Sequence, residues 1–82
     1  MNPEEMRRRV LEIVVSQLDT TPDKVAVFNI EVQGLLSIEL SEAEHQMEIL
    51  ESEGLLKLTR FHGSGPSLAA RPTPAGRKAV SG

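Results

Sequence analysis

The sequence predicts an α+β domain, residues 1–82 in one unit: a three-helix core with a short strand and a two-stranded β-hairpin. Three observations carry this expectation. Met6, Val10, Ile13, Val14 and Leu18 recur at helical spacing near the start of the chain. Leu40 to Leu58, LSEAEHQMEILESEGLLKL, reads as a second helical stripe closed by a glycine. Beyond Gly54, apolar and polar residues alternate on both sides of the Gly-rich stretch His62-Gly63-Ser64-Gly65-Pro66, the mark of a hairpin.

Asn2 followed by Pro3 opens the first helix, because Asn accepts an orphaned amide bond and Pro has no amide to lose. Glu4 and Glu5 complement the helix dipole in the first turn. Leu11 and Val15 widen the apolar stripe, and the helix is expected to end near Leu18, before Asp19-Thr20-Thr21-Pro22-Asp23. Arg7, Arg8 and Arg9 point in three directions around such a helix, within pairing reach of Glu4, Glu5 and Glu12. They read as a solvated face.

Val25 to Phe28 is β-branched and short, a brief strand. Asn29 then introduces a second helix over Ile30 to Ser37, with Val32, Leu35, Leu36 and Ile38 as its apolar positions. Gly34 weakens that helix by about 1 kcal/mol relative to Ala unless it lets another helix approach closely. In the third helix Ser41 is the expected N-cap and Glu44 completes a capping box. Ala43, Met47 and Leu50 form its buried stripe, while Glu44, His45, Glu48, Glu51 and Ser52 face outward. Leu56 and Leu58 begin the hairpin, and Ser67 to Pro72 returns, with Leu68 and Ala70 turned to the core. Pro72 lacks a ladder donor, which puts this strand at an edge or at its end there. Thr73-Pro74 repeats the cap-then-proline start and opens a short C-terminal helix through Val80.

The net charge of −3 hides an asymmetry. Residues 1–53 carry twelve carboxylates against four cations, −8, whereas residues 54–82 carry five cations and no carboxylate. Either one half was shaped for a charged partner or the basic part folds back over the acidic part. No cysteine is present, so disulfides and thiolate metal sites are excluded. No apolar run reaches the ~20 residues of a membrane span, and the first residues lack a signal-peptide pattern, so a cytoplasmic protein is expected. His45 and His62 stand outside any metal-ligand spacing, and Gly63-Ser64-Gly65 is a turn with no Lys-Ser or Lys-Thr after it. The residues therefore suggest no enzyme, no metal and no cofactor. Two Phe and no Trp or Tyr argue against a base-stacking platform for single-stranded nucleic acid.

The element order, together with two motifs, resembles the winged helix-turn-helix. His45-Gln46-Met47-Glu48-Ile49-Leu50-Glu51-Ser52-Glu53-Gly54-Leu55-Leu56 is similar to the third helix and its exit in bacterial winged-helix regulators. Thr73-Pro74-Ala75-Gly76-Arg77-Lys78-Ala79-Val80 resembles the segment that ends the wing in regulators of the MarR and PadR type. The resemblance implies a transcription regulator whose third helix enters the major groove. Here those positions are Glu42, Glu44, His45, Glu48 and Ser52, and carboxylates cannot supply the phosphate neutralisation that dominates affinity. The expected DNA contacts fall instead on the basic wing: Lys57, Arg60, His62, Arg71, Arg77 and Lys78. Three to five such phosphate contacts give weak binding of double-stranded DNA, with a salt slope of about −3 to −5. The alternative is a protein-interaction module in which Glu44, Glu48 and Glu51 meet a basic partner, or the basic wing of a second copy in a homodimer.

Overall fold

Helix α1 (Pro3–Thr20) starts as its residues dictate: Asn2 Oδ1 accepts the Glu5 amide at 2.7 Å and Pro3 takes the first position. It runs two residues past the expected end, where the Thr20 hydroxyl donates to the Ser16 carbonyl at 2.8 Å. Its buried face is Met6, Val10, Leu11, Val14 and Val15, with Ile13 and Leu18 half-buried at its margin. This computed structural model describes residues 1–81.

Strand β1 (Val27–Phe28) is half the expected length, because Val25 and Ala26 find no strand partner and Val25 is 77% exposed. Helix α2 (Asn29–Leu36) begins one residue earlier than expected. Phe28 holds the cap position without a side-chain acceptor, and the Glu31 carboxylate reaches back to its amide at 2.8 Å. Asn29, expected at the helix entrance, is instead its first residue and is 1% exposed. Val32 is buried and Leu36 and Ile38 are half-buried, but Leu35 stands 57% exposed. Gly34 makes no close helix approach, since a Cβ there would meet nothing within 4 Å. The helix closes on Ser37 in the left-handed region, φ 54° and ψ 46°, a conformation glycine tolerates best.

Helix α3 (Leu40–Ser52) also starts early. Glu39 is its N-cap, its carbonyl accepting the Glu42 and Ala43 amides at 3.1 Å each, so Ser41 lies inside the first turn. The expected Ser41–Glu44 capping box is therefore absent, and the Glu44 carboxylate binds Asn29 and Ser67. The energetics explain the choice. A cap contributes about 1 kcal/mol, while a hydrogen bond from a buried amide to a charged carboxylate contributes about 1.5–3 kcal/mol. Among the described residues the Asn29 amide has only Ser67 Oγ, at 3.0 Å, as its other acceptor. At the other end the expectation holds: Gly54 is left-handed at φ 77°, its amide bonds the Glu51 carbonyl at 2.9 Å, and the Leu55 amide bonds the Leu50 carbonyl at 2.9 Å. That pair of bonds is a Schellman closure.

Strands β2 (Leu56–Arg60) and β3 (Leu68–Pro72) pair antiparallel, Lys57 opposite Arg71 and Leu58 opposite Ala70. On its other side β3 pairs with β1, Val27 opposite Ala70 and Phe28 opposite Ala69, giving the sheet order β1-β3-β2. The return strand is thus central, not an edge, and Pro72 is tolerated because it is the strand's last residue. Helix α4 (Pro74–Ser81) packs on α1 and on the end of β3. The described residues form a compact α+β fold of four helices and a three-stranded antiparallel sheet. Val10 and Val14 of α1, Val32 of α2, Ala43, Met47 and Leu50 of α3 and the sheet residues Val27, Leu56, Leu58, Leu68 and Ala70 form one core between helices and sheet. Among the described residues no helix is long and apolar enough to cross a membrane.

The two motifs that carried the family resemblance touch each other. The Thr73 amide donates to the Leu55 carbonyl at 3.1 Å and its hydroxyl donates to the Gly54 carbonyl at 2.6 Å. The same hydroxyl accepts the Gly76 amide at 3.0 Å, capping α4. Gly76 lies so close that a Cβ would stand 2.1 Å from the Leu55 oxygen.

Candidate functional site

Strand alternation sorts the basic residues of the hairpin into two groups. Leu56, Leu58 and Arg60 face the helices, whereas Lys57 and Thr59 face away. Arg60 therefore reaches α3, where its guanidinium binds Glu51 at 2.8 Å and lies 3.8 Å from Glu48. The second Glu51 oxygen accepts the Leu58 amide at 3.3 Å, filling a donor on the free edge of β2. The Arg60 hydrogen bond, aided by the Leu58 amide and the Arg60 charge, holds the Glu51 carboxyl below its ordinary value against the opposing effect of burial. Glu51 in turn raises the Arg60 guanidinium above its own. Arg77 is likewise engaged, with Asp19 of α1 at 2.6 Å. Two of the five cations of residues 54–82 thus fold back onto the acidic part of the chain.

Lys57 and Arg71 do not. They are cross-strand partners on the open face of the sheet, both exposed, and no carboxylate among the described residues lies within ion-pair distance of either. Like charges placed directly opposite weaken a strand pair. His62 is exposed at the hairpin turn, and Lys78 is exposed in the last turn of α4, also without an ion-pair partner among the described residues.

The acidic residues assigned to α3 separate as well. Glu44 accepts Asn29 Nδ2 at 2.6 Å and Ser67 Oγ at 2.9 Å on one oxygen, tying the start of α2 and the start of the return strand to α3. Glu51 is committed to Arg60 and Leu58. Of the three, only Glu48 remains largely free, 54% exposed and at 3.8 Å from Arg60. Glu42 and His45 are exposed beside it. On α1, Arg8 pairs with Glu12 at 3.7 Å as helix spacing suggests, but Arg7 turns to α3, donating to buried Gln46 at 3.0 Å and lying 4.0 Å from Glu53.

The residues that sequence reasoning passed over are aromatic. Phe28 and Phe61 sit 6.2 Å apart between ring centroids, tilted by 55°, and are 36% and 47% exposed. Both belong to the open sheet face. Phe61 shares the odd-numbered parity of Lys57 and Thr59, a signal present in the sequence. Phe28 arrives only through the β1–β3 pairing, which no local pattern announces. Ala69, opposite both Phe28 and Thr59, is 4% exposed under these neighbours although it faces away from the core. The open face is thus a small apolar cluster next to an uncompensated cationic pair. No protein-family model matches this chain, and no curated protein matches it.

Proposed function

We propose that this chain is a winged-helix regulatory module without enzymatic activity, whose hairpin serves as the wing and contacts double-stranded DNA. The order helix, strand, helix, helix, hairpin and the docking of Thr73–Gly76 on Gly54–Leu55 support the fold assignment. One observation carries the functional reading: Lys57 and Arg71 face solvent side by side with no carboxylate among the described residues to neutralise them. A phosphate backbone is the ligand that turns this repulsion into attraction. Helix α3 presents Glu42 and Glu48 to solvent and is unsuited to a groove of phosphates.

The contact set is smaller than the sequence suggested. With Arg60 and Arg77 neutralised internally, Lys57, Arg71 and Lys78 remain as the cations of residues 54–81. Three phosphate contacts give a salt slope of about −3. The net charge of −3 also opposes approach at long range, so the affinity is weak. A mobility shift on a duplex at about 50 mM salt tests the reading. Binding should vanish when Lys57 and Arg71 are both changed to Ala, and should persist in Glu48→Gln. A shift that survives loss of Lys57 and Arg71 refutes it.

Self-association of the basic wing with the acidic helix of a second copy is the weaker reading. Part of the pairing it needs is already made within one chain, by Arg60 on Glu51.

A further inference from the structure

We infer that the open sheet face takes single-stranded nucleic acid, with phosphates on Lys57 and Arg71 and an unstacked base on the Phe28–Phe61 pair. The inference rests on the phosphate-binding role given above to Lys57 and Arg71 and goes beyond the duplex reading. It also revises the expectation drawn from the low aromatic count, because the fold places both Phe rings side by side. Three observations carry it. First, both aromatic residues of the chain lie on one sheet face within 6.2 Å, exposed, where apolar rings are costly unless something covers them. Second, the cationic row is two residues along β2 and β3 from the Thr59–Ala69–Phe28 row, roughly 7 Å at the rise of a strand. A base and its own phosphate span a gap of this order. Third, the rings and the cations share the face with the small or polar neighbours Ala69 and Thr59, which leave the ring surfaces accessible.

A duplex matches this face less well. It offers phosphates to Lys57 and Arg71 but no base face to the rings, which would be pressed against sugar and phosphate. A protein partner also matches less well. A stable protein interface needs about 800 Å² from each side, close to one sixth of the 5086 Å² surface of the chain. Four side chains on a three-stranded sheet provide far less. A few nucleotides of a single strand fit that area, combining a cationic track with sequence-tolerant stacking.

Fluorescence anisotropy on the full chain tests this with three labelled probes: an oligothymidylate of about 20 nucleotides, a duplex of the same length, and a peptide of alternating Glu and Phe. The oligothymidylate should bind more tightly than the duplex. Phe61→Ala, a surface change, should weaken the single strand by about 5- to 100-fold, the range of one lost base stack, while leaving the duplex within about twofold. Lys57→Ala with Arg71→Ala should weaken both. Circular dichroism of each variant separates lost binding from lost fold. Equal binding of both nucleic acids, indifferent to Phe61→Ala, overturns the inference and leaves the DNA reading standing. Binding of the peptide alone, or of no probe, overturns both.

Discussion

Gly76→Ala isolates the contact that joins the two ends of the hairpin. The added Cβ would lie 2.1 Å from the Leu55 oxygen, 3.0 Å from its carbonyl carbon and 3.4 Å from Leu11 Cδ1. Backbone blocks the way, not a flexible side chain. The Leu55 carbonyl is held by the Thr73 amide at 3.1 Å, and the Leu55 amide is held by the Leu50 carbonyl at 2.9 Å. Relief therefore requires α4 to lift. Lifting sacrifices the two Thr73 bonds to Gly54 and Leu55, about 1 kcal/mol each, and part of the burial of Val80, about 1 kcal/mol. The exposed Arg77–Asp19 pair adds little. Against this loss of roughly 3 kcal/mol stands the helix propensity of Ala over Gly, about 1 kcal/mol. The expected net destabilisation is about 2 kcal/mol, a fall of about 8–16 °C in midpoint for a domain of this size. Urea unfolding followed by circular dichroism measures it, and proteolytic sensitivity of residues 73–81 reports whether α4 has lifted. A Gly76→Ala chain as stable as the parent, with α4 still protected, refutes the contact and the argument built on it.

Helix α2 carries glycine where alanine belongs and serine where glycine belongs. Gly34→Ala, with open space around the new methyl, should stabilise by about 0.5–1 kcal/mol. Ser37→Gly should add a few tenths to about 1 kcal/mol by relieving the left-handed backbone; thermal melts of the single and double variants check both. Glu44→Ala removes the charged acceptor of the buried Asn29 amide, leaving Ser67 Oγ at 3.0 Å, and should cost about 1.5–3 kcal/mol in chemical unfolding. Glu44→Gln, which keeps a carbonyl acceptor, should lose less. Stability should fall as pH drops below about 4.5. Burial opposes ionisation of Glu31, but the hydrogen bond from Lys24, the Phe28 amide and the Lys24 charge outweigh it, and Arg60 does the same for Glu51, so both folded-state values lie below the ordinary 4.5. A depressed carboxylate stabilises the fold fully above its unfolded value and ceases to do so as pH falls through the folded one. Glu51→Gln should flatten that acid limb in pH-dependent melts.

Helix and strand content were legible because they rest on short-range rules. Asn2-Pro3 and Thr73-Pro74 each open a helix as read, and Gly54 closes α3 in the left-handed conformation its position requires. The buried stripe Ala43, Met47 and Leu50 follows from spacing alone, as do the outward directions of Lys57 and Arg71. The reading of Ser41 and Glu44 as a capping box failed for a reason outside that range. The competing donor, Asn29, is fifteen residues away and becomes the neighbour of Glu44 only when α2 and α3 pack.

Charge shows the same division. The sequence by itself determined that acid and base are segregated along the chain and that one face of the hairpin is basic. Only the tertiary structure decided which charges survive. Arg60 and Arg77 are cancelled by Glu51 and Asp19, partners at separations of 9 and 58 residues, while Lys57 and Arg71 are left facing each other. Periodicity assigns a side chain to a face of its own element. What that face meets depends on which elements the core brings together, and for this chain the pairing of β1 with β3 also set Phe28 beside Phe61.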